Sequence, residues 1–178
     1  MRIADQGAAI AHCPIANARL GHGVAPIVEA RAAGIPLGLG TDSVASNNRL
    51  DLLEEARCAQ IVQRARLQSS GPLPGPELLR LATLDGARAL GLESVIGSLD
   101  PGKDADLCAV ALDHVHTIPA PDIENAIFHA ARGTDVILSM VQGRVLYDGT
   151  ARTLNAAELS DQVRAIAERL QCIRNRSA

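Results

Sequence analysis

Four residues of this 178-residue chain have types and surroundings that could do chemistry: His12, Asn17, Asp42 and Ser46. Asp42 stands in "LGLGTDSVASNN" (37–48), just after a short apolar run that stops at Gly40. A carboxylate held at the lip of a strand can bind a metal ion with one oxygen. Its other oxygen can take a proton from an activated water and pass it to a leaving group. Asp before Ser is equally an ordinary turn or helix cap. His12 closes a second apolar run, "AAIAHC" (8–13), and the polar loop "PIANARLGHG" with Asn17 and His22 follows. A lone His at such a place is commonly a hydrogen-bonded structural group. His22 in its Gly-flanked loop reads as a loop polar group or a ligand contact, and Ser46 and Asn47 are by type turn residues.

These residues need elements that bring them together. "MRIADQG" reads as the last turns of a helix closed by Gly7. Residues 8–13 read as a buried strand ended by Pro14, and 14–25 as a loop. Residues 26–34 form a helix with a Pro start and a Gly stop, and 35–40 a second strand. This alternation of strands and helices with short connections predicts a parallel α/β sheet. Ligands of such sheets sit at the carboxyl ends of the strands, where His12 and Asp42 both fall.

Further along, residues 50–67 predict a helix with Leu52, Leu53, Ala56, Ala59 and Ala65 inward and Glu54, Glu55, Arg57 and Arg64 outward. "SSGPLPGP" (69–76) is a loop, and 76–92 a helix containing Gly86. The pattern then changes to a strand at 105–112, a short helix at 120–132, and a hairpin at 134–149 turning at Gln142-Gly143. The tail "NAAELSDQVRAIAERLQ" sets Leu159, Val163, Ile166 and Leu170 on one helical face. A boundary is expected near residue 96, dividing 1–96 from 97–150, with a terminal helix in 151–178.

Composition narrows the function classes. Hydrophobic residues make up 47% but aromatics only 1%, so the core is built from Leu, Val, Ile and Ala, and a base-stacking platform has no rings. A net charge of −3 argues against a general phosphate-binding surface, so no nucleic acid is expected as partner. No apolar run reaches the roughly 18 residues of a membrane span. Cys13, Cys58, Cys108 and Cys172 form no CxxC pair, which fits a reducing cytoplasm. "GLGTDS" fails as a dinucleotide fingerprint because Ser43 stands where a third Gly or Ala is needed. H-x-E with P-C-x-x-C and G-x-S-x-G are absent. His114-Val115-His116 has the spacing of a metal pair, but its place beside "TIPAP" predicts a surface loop instead.

Taken together, "AHCPIANARLGHGVAPI", "AGIPLGLGTDSVASNNRLDLLEEARCA", "LATLDGARALGLESVIGSLDPGKDADLCAV" and "DVILSMVQGRVLYDG" resemble the amidohydrolase superfamily. The nearest branch is that of S-adenosylhomocysteine/methylthioadenosine deaminases and triazine chlorohydrolases. The resemblance runs to about residue 150. It implies a (β/α)8 TIM barrel of a metal-dependent hydrolase, with 8–13 as barrel strand seven and 35–40 as strand eight. It also implies C-terminal strands of a small β-sandwich in 97–150. Asp42 matches the family's strand-eight metal ligand and proton shuttle. Ser46 matches a substrate contact, and Asn17 the Asn of a His-x-Pro-x-Ser-Asn block in which Ala16 replaces Ser. His12 opens that block, near the substrate but not a direct ligand. The implied cofactor is a divalent metal, zinc foremost, with iron or manganese as alternatives; a homodimer is the family-level expectation.

The His-x-His pair of strand one and the His ligands of strands five and six have no counterpart here. The chain therefore reads as the C-terminal part of an enzyme of roughly 400 to 450 residues, expected to bind zinc weakly and to be inactive alone. The implied reaction is hydrolysis of a C–N bond on a purine-like or other heteroaromatic ring. A guanine-type deaminase, a dechlorinating triazine hydrolase and a non-catalytic assembly module remain the alternatives.

Overall fold

A computed structural model describes residues 2–149 and 156–176. Met1, residues 150–155 and residues 177–178, which complete the expected first and last helices, lie outside the described residues. The chain opens with helix α1 (Arg2–Asp5), closed at Gly7, whose φ of +63° lets its N–H reach the Ala4 carbonyl at 3.3 Å. Strand β1 (Ile10–His12) pairs in parallel with β2 (Leu37–Leu39), with His12 opposite Leu39. Both strands are shorter than their apolar runs, because the ladder ends where the chain turns away at Pro14 and Gly40.

The expected loop at 14–25 opens instead with helix α2 (Pro14–Arg19). Pro14 suits the first helical position, where no N–H is needed. The N-cap, Cys13, gives no side-chain bond. The missing acceptor comes from Glu55, whose Oε2 takes the Ile15 N–H at 3.1 Å. A cap supplied from forty residues away leaves no local signal. Helix α3 (Ile27–Ala32) then leads to β2. The short helix α4 (Val44–Asn47) follows β2 and is capped by Ser43.

Helix α5 (Leu52–Leu67) is held at its start by Asp51, whose Oδ1 accepts from Leu53 N at 3.0 Å and Glu54 N at 3.1 Å. Its expected polar face is not all outward. Glu55, expected outward, is buried, and so are Gln60 and Gln63, since α5 is enclosed by α2, α6 (Gly75–Ala82), β2 and α8 (Ile123–His129). The helix expected at 76–92 is two helices, α6 (Gly75–Ala82) and α7 (Leu84–Leu90). Thr83 breaks it, with φ −129° and ψ −100°.

The break serves a close approach. A Cβ on Gly38 of β2 would lie 2.6 Å from the Gly86 Cα of α7. Neither backbone can yield there as a flexible side chain would. Gly38→Ala is therefore expected to destabilise the fold by about 1–3 kcal/mol through overpacking, read as a lower urea midpoint.

One apolar cluster joins Ile27, Ala30, Ile35, Leu37, Ala56, Ala59, Leu73, Leu78 and Leu81 with Phe128. Phe128 is the chain's one phenylalanine and brings α8 into that core. A separate antiparallel sheet runs β3 (Leu107–Val110), β4 (Val136–Val141), β5 (Arg144–Tyr147). Its hairpin turns at Gln142 (φ 49°) and Gly143 (φ 74°), the pair of positive angles that a two-residue hairpin turn needs. Two contacts tie this part to α5. Asp51 Oδ2 accepts from Gly133 N at 3.1 Å, and Arg57 Nη2 donates to the Ala131 carbonyl at 2.7 Å. Helix α9 (Ala156–Arg176) carries Leu159, Val163, Ile166 and Leu170 on its exposed apolar stripe. No helix among the described residues is long and apolar enough to cross a membrane.

Candidate active site

The carboxyl ends of β1 and β2 lie side by side. Gly40 N donates to the His12 carbonyl at 2.9 Å, which extends the pairing one step past the strands. Gly40 also leaves room for Cys13, since a Cβ there would sit 3.1 Å from its Sγ. Burial pushes the Cys13 thiol up, opposed by a bond to the Asp42 backbone and reinforced by the Glu55 and Asp42 carboxylates. The thiol is thus a packed neutral group rather than a nucleophile.

Asp42 has a φ of +59°, a conformation that Asp tolerates better than most residues. Its Oδ1 accepts from Ser43 N at 2.6 Å. The cap of α4 is Ser43, not Asp42: Ser43 Oγ accepts from Ser46 N at 3.3 Å. The acid is therefore held by a single local bond and stays exposed at the strand end. Ser46 is half-buried, with its Oγ 3.2 Å from that of Ser43.

Beneath this loop lies a buried polar node, built from residues whose types alone read as turn and surface groups. Asn47 Nδ2 donates to the Thr41 carbonyl at 2.6 Å and to Glu55 Oε1. Asn47 is 2% exposed and Glu55 fully buried. Glu55 thus grips both strand-end segments at once, α2 through Ile15 N and the Asp42 loop through Asn47. Burial pushes its carboxyl up, against the bonds from Ile15 N and Asn47. The available clue was a carboxylate one position before the buried Ala56, on a helix with no cation to pair it at i+4.

His12 is 2% exposed, and its Nε2 is a buried ring nitrogen without a hydrogen-bond partner. Burial lowers its pKa to about 4, so the ring is neutral near pH 7. The folded state then binds fewer protons than the unfolded one as pH falls from 6.5 toward 4. On the order of 3 kcal/mol of stability should be lost across that window. His12→Gln is expected to flatten this part of a pH–stability curve from denaturant melts.

Asn17 is half-buried on α2, which packs against α4, and its backbone carbonyl accepts from His22 N at 2.9 Å. His22 itself is exposed in the turn between Gly21 and Gly23. Asp42 belongs to no grouping of three His, Cys, Asp or Glu side chains among the described residues. One exposed carboxylate fits a divalent ion as one ligand of several, whereas a catalytic zinc takes about three protein ligands. His114 and His116 lie in an exposed turn, as expected, and there they meet Asp135, away from the strand ends.

Comparison with known proteins gives this geometry a context. The chain is 42% identical over 162 residues to a 5-methylthioadenosine/S-adenosylhomocysteine deaminase of Moorella thermoacetica, covering 90% of this chain and 38% of that protein. Its structure superposes with a TM-score of 0.90 on an adenosine deaminase of Xanthomonas campestris with bound zinc. That match is at 34% identity and covers 95% of this chain and 39% of the other. An atrazine chlorohydrolase of Arthrobacter aurescens, complexed with zinc, matches with a TM-score of 0.79 at 34% identity, covering 87% and 34%. The chain thus spans about two-fifths of the length of the deaminases it matches. The profile of the amidohydrolase family covers residues 1–146, and the chain belongs to that family.

Proposed function

We propose that this chain forms one wall of the active site of a metal-dependent aminohydrolase acting on a purine-like ring such as that of adenosine or S-adenosylhomocysteine. In this reading residues 1–96 supply TIM-barrel strands seven and eight with their helices, and 97–150 supply strands of a small β-sandwich. The terminal helix of 151–178 follows, in a cytoplasmic enzyme that pairs as a homodimer. The observation that carries the proposal is Asp42, exposed at the end of a strand parallel to β1, in a chain so similar to deaminases.

A divalent ion, zinc foremost, supplies the Lewis acidity that makes water a nucleophile near neutral pH. Asp42 contributes one ligand oxygen. With Oδ1 fixed by Ser43 N, the carboxylate is oriented to take the proton of the attacking water and return it to the departing amine. Ser46, on the first turn of α4, gives a hydroxyl to the substrate, and Asn17 lines the same pocket from α2. His12 stays neutral beneath them, with a free ring nitrogen to orient a polar group.

The test is release of ammonia by the full-length, metal-loaded enzyme from adenosine derivatives, free purines and aminotriazines. Turnover of adenosine derivatives above the others is the expected result. Chloride release from chlorotriazines alone would move the assignment to dechlorination, and inertness toward the whole set would overturn it.

A further inference from the structure

Three side chains outside the strand-end loops converge on one point. His114 and His116 lie in the turn that follows β3, and Asp135 ends a 3-10 turn (Gly133–Asp135) that leads into β4. His114 Nδ1 is 3.1 Å from Asp135 Oδ1, and His116 Nε2 is 2.8 Å from Oδ2. Oδ2 also accepts from Arg132 N at 2.8 Å. The two imidazoles stack with centroids 5.5 Å apart and planes 25° apart. The ligand atoms of all three residues lie within 4.8 Å of one another.

Both arms of the cluster are fixed by backbone. The His114 carbonyl accepts from Thr117 N at 2.9 Å, from Ile118 N at 3.1 Å and from Thr117 Oγ1 at 2.9 Å, and Thr117 is buried. The Asp135 carbonyl accepts from Ala111 N at 2.8 Å, pinning it to the end of β3. The carboxylate side chain is 4% exposed, whereas the imidazoles are 49% and 35% exposed. The site is thus closed below and open to solvent above.

We propose that His114, His116 and Asp135 bind a divalent transition-metal ion of the zinc class, with water completing the coordination. Two imidazoles and one carboxylate are the donor set that zinc takes. Zinc–ligand bonds of about 2.0–2.1 Å place tetrahedral donors about 3.3 Å apart; here each ring nitrogen lies 3.1 or 2.8 Å from its own carboxylate oxygen, and one ligand atom from each residue lies within 4.8 Å of the others. Binding exchanges two N–H···O bonds for two metal–nitrogen bonds. Each neutral ring shifts its proton to its other nitrogen, so no net proton is released. A histidine that is protonated loses one, so acid weakens binding. The Arg132 N–H stays on Oδ2 and orients the carboxylate. The site uses none of the residues of the proposed deaminase reading and stands or falls separately from it.

The test is titration of the metal-stripped 178-residue chain with Zn²⁺ by calorimetry, and with Co²⁺ by visible absorption, at pH 7.5. One equivalent is expected, with a Co²⁺ spectrum of low coordination number and a higher melting temperature. His114→Gln, His116→Gln and Asp135→Asn should each weaken that equivalent at least about tenfold while keeping the parent circular dichroism. Asn at 135 retains an acceptor for Arg132 N, so loss of binding there does not report unfolding. The double variant His22→Ala/His129→Ala should titrate like the parent. Binding that survives all three ligand substitutions, or that disappears with His22 and His129 alone, would overturn the assignment, as would an unchanged aquo-Co²⁺ spectrum.

Discussion

Asp42→Asn is expected to lower ammonia release by the full-length enzyme by about 10²–10⁴-fold or more, with little change in melting temperature. The amide keeps an oxygen for the 2.6 Å bond from Ser43 N, so the loop holds its shape. It cannot carry a proton, and it is a poorer ligand for a divalent cation. Asp42 is exposed and outside the apolar cluster, so its change removes chemistry without disturbing packing. The measurements are steady-state rates on adenosine derivatives and metal content of the purified variant. A rate within tenfold of the parent at full metal loading would remove Asp42 from the proton-transfer role.

Glu55→Ala is expected to cost about 2–4 kcal/mol of stability. It strips the acceptor from Ile15 N, leaves Asn47 Nδ2 with only the Thr41 carbonyl, and opens a cavity at a fully buried position. Since Thr41 directly precedes Asp42, the same change should loosen the acid's loop. Faster amide exchange at Ile15, Asn47 and Ser43 would show it. Glu55→Gln keeps one acceptor and should cost less. It also isolates a titration. The folded-state pKa of Glu55 is raised by burial, so its contribution is full below about 4.5 and shrinks as pH rises through the folded value. The Gln variant should lack that decline. His12 acts with the opposite sign over its own window, so the two variants separate the terms. An unchanged denaturation midpoint in Glu55→Ala would mean that the node carries no stability.

The second sheet was legible for local reasons. Gln142-Gly143 between β-branched runs has one low-cost backbone solution, and the hairpin forms there. The β1–β2 alternation was equally legible, since each strand is a short apolar run closed by Pro14 or by Gly40. Other features were not. Helix α2 takes an acceptor from a carboxylate forty residues away, and beyond the break at Thr83 Gly86 lies against Gly38. Neither partner leaves a mark in the local pattern. Glu55 looked outward because hydrophobic periodicity ranks a carboxylate as surface, whereas two donors, the Ile15 N–H and the Asn47 amide, offset the cost of its burial.

By itself the sequence determined the family, through the resemblance of several blocks along the chain, and the strand-end position of Asp42 with the elements around it, because these rest on residue type and short-range spacing. Only the tertiary structure decided that Ser43 and not Asp42 caps α4, and that Glu55 and Asn47 clamp the two strand-end segments. It also showed that the loop pair His114 and His116 meets Asp135. These are contacts between segments far apart in the chain. Their geometry is set by how helices and strands pack, which no local window of sequence encodes.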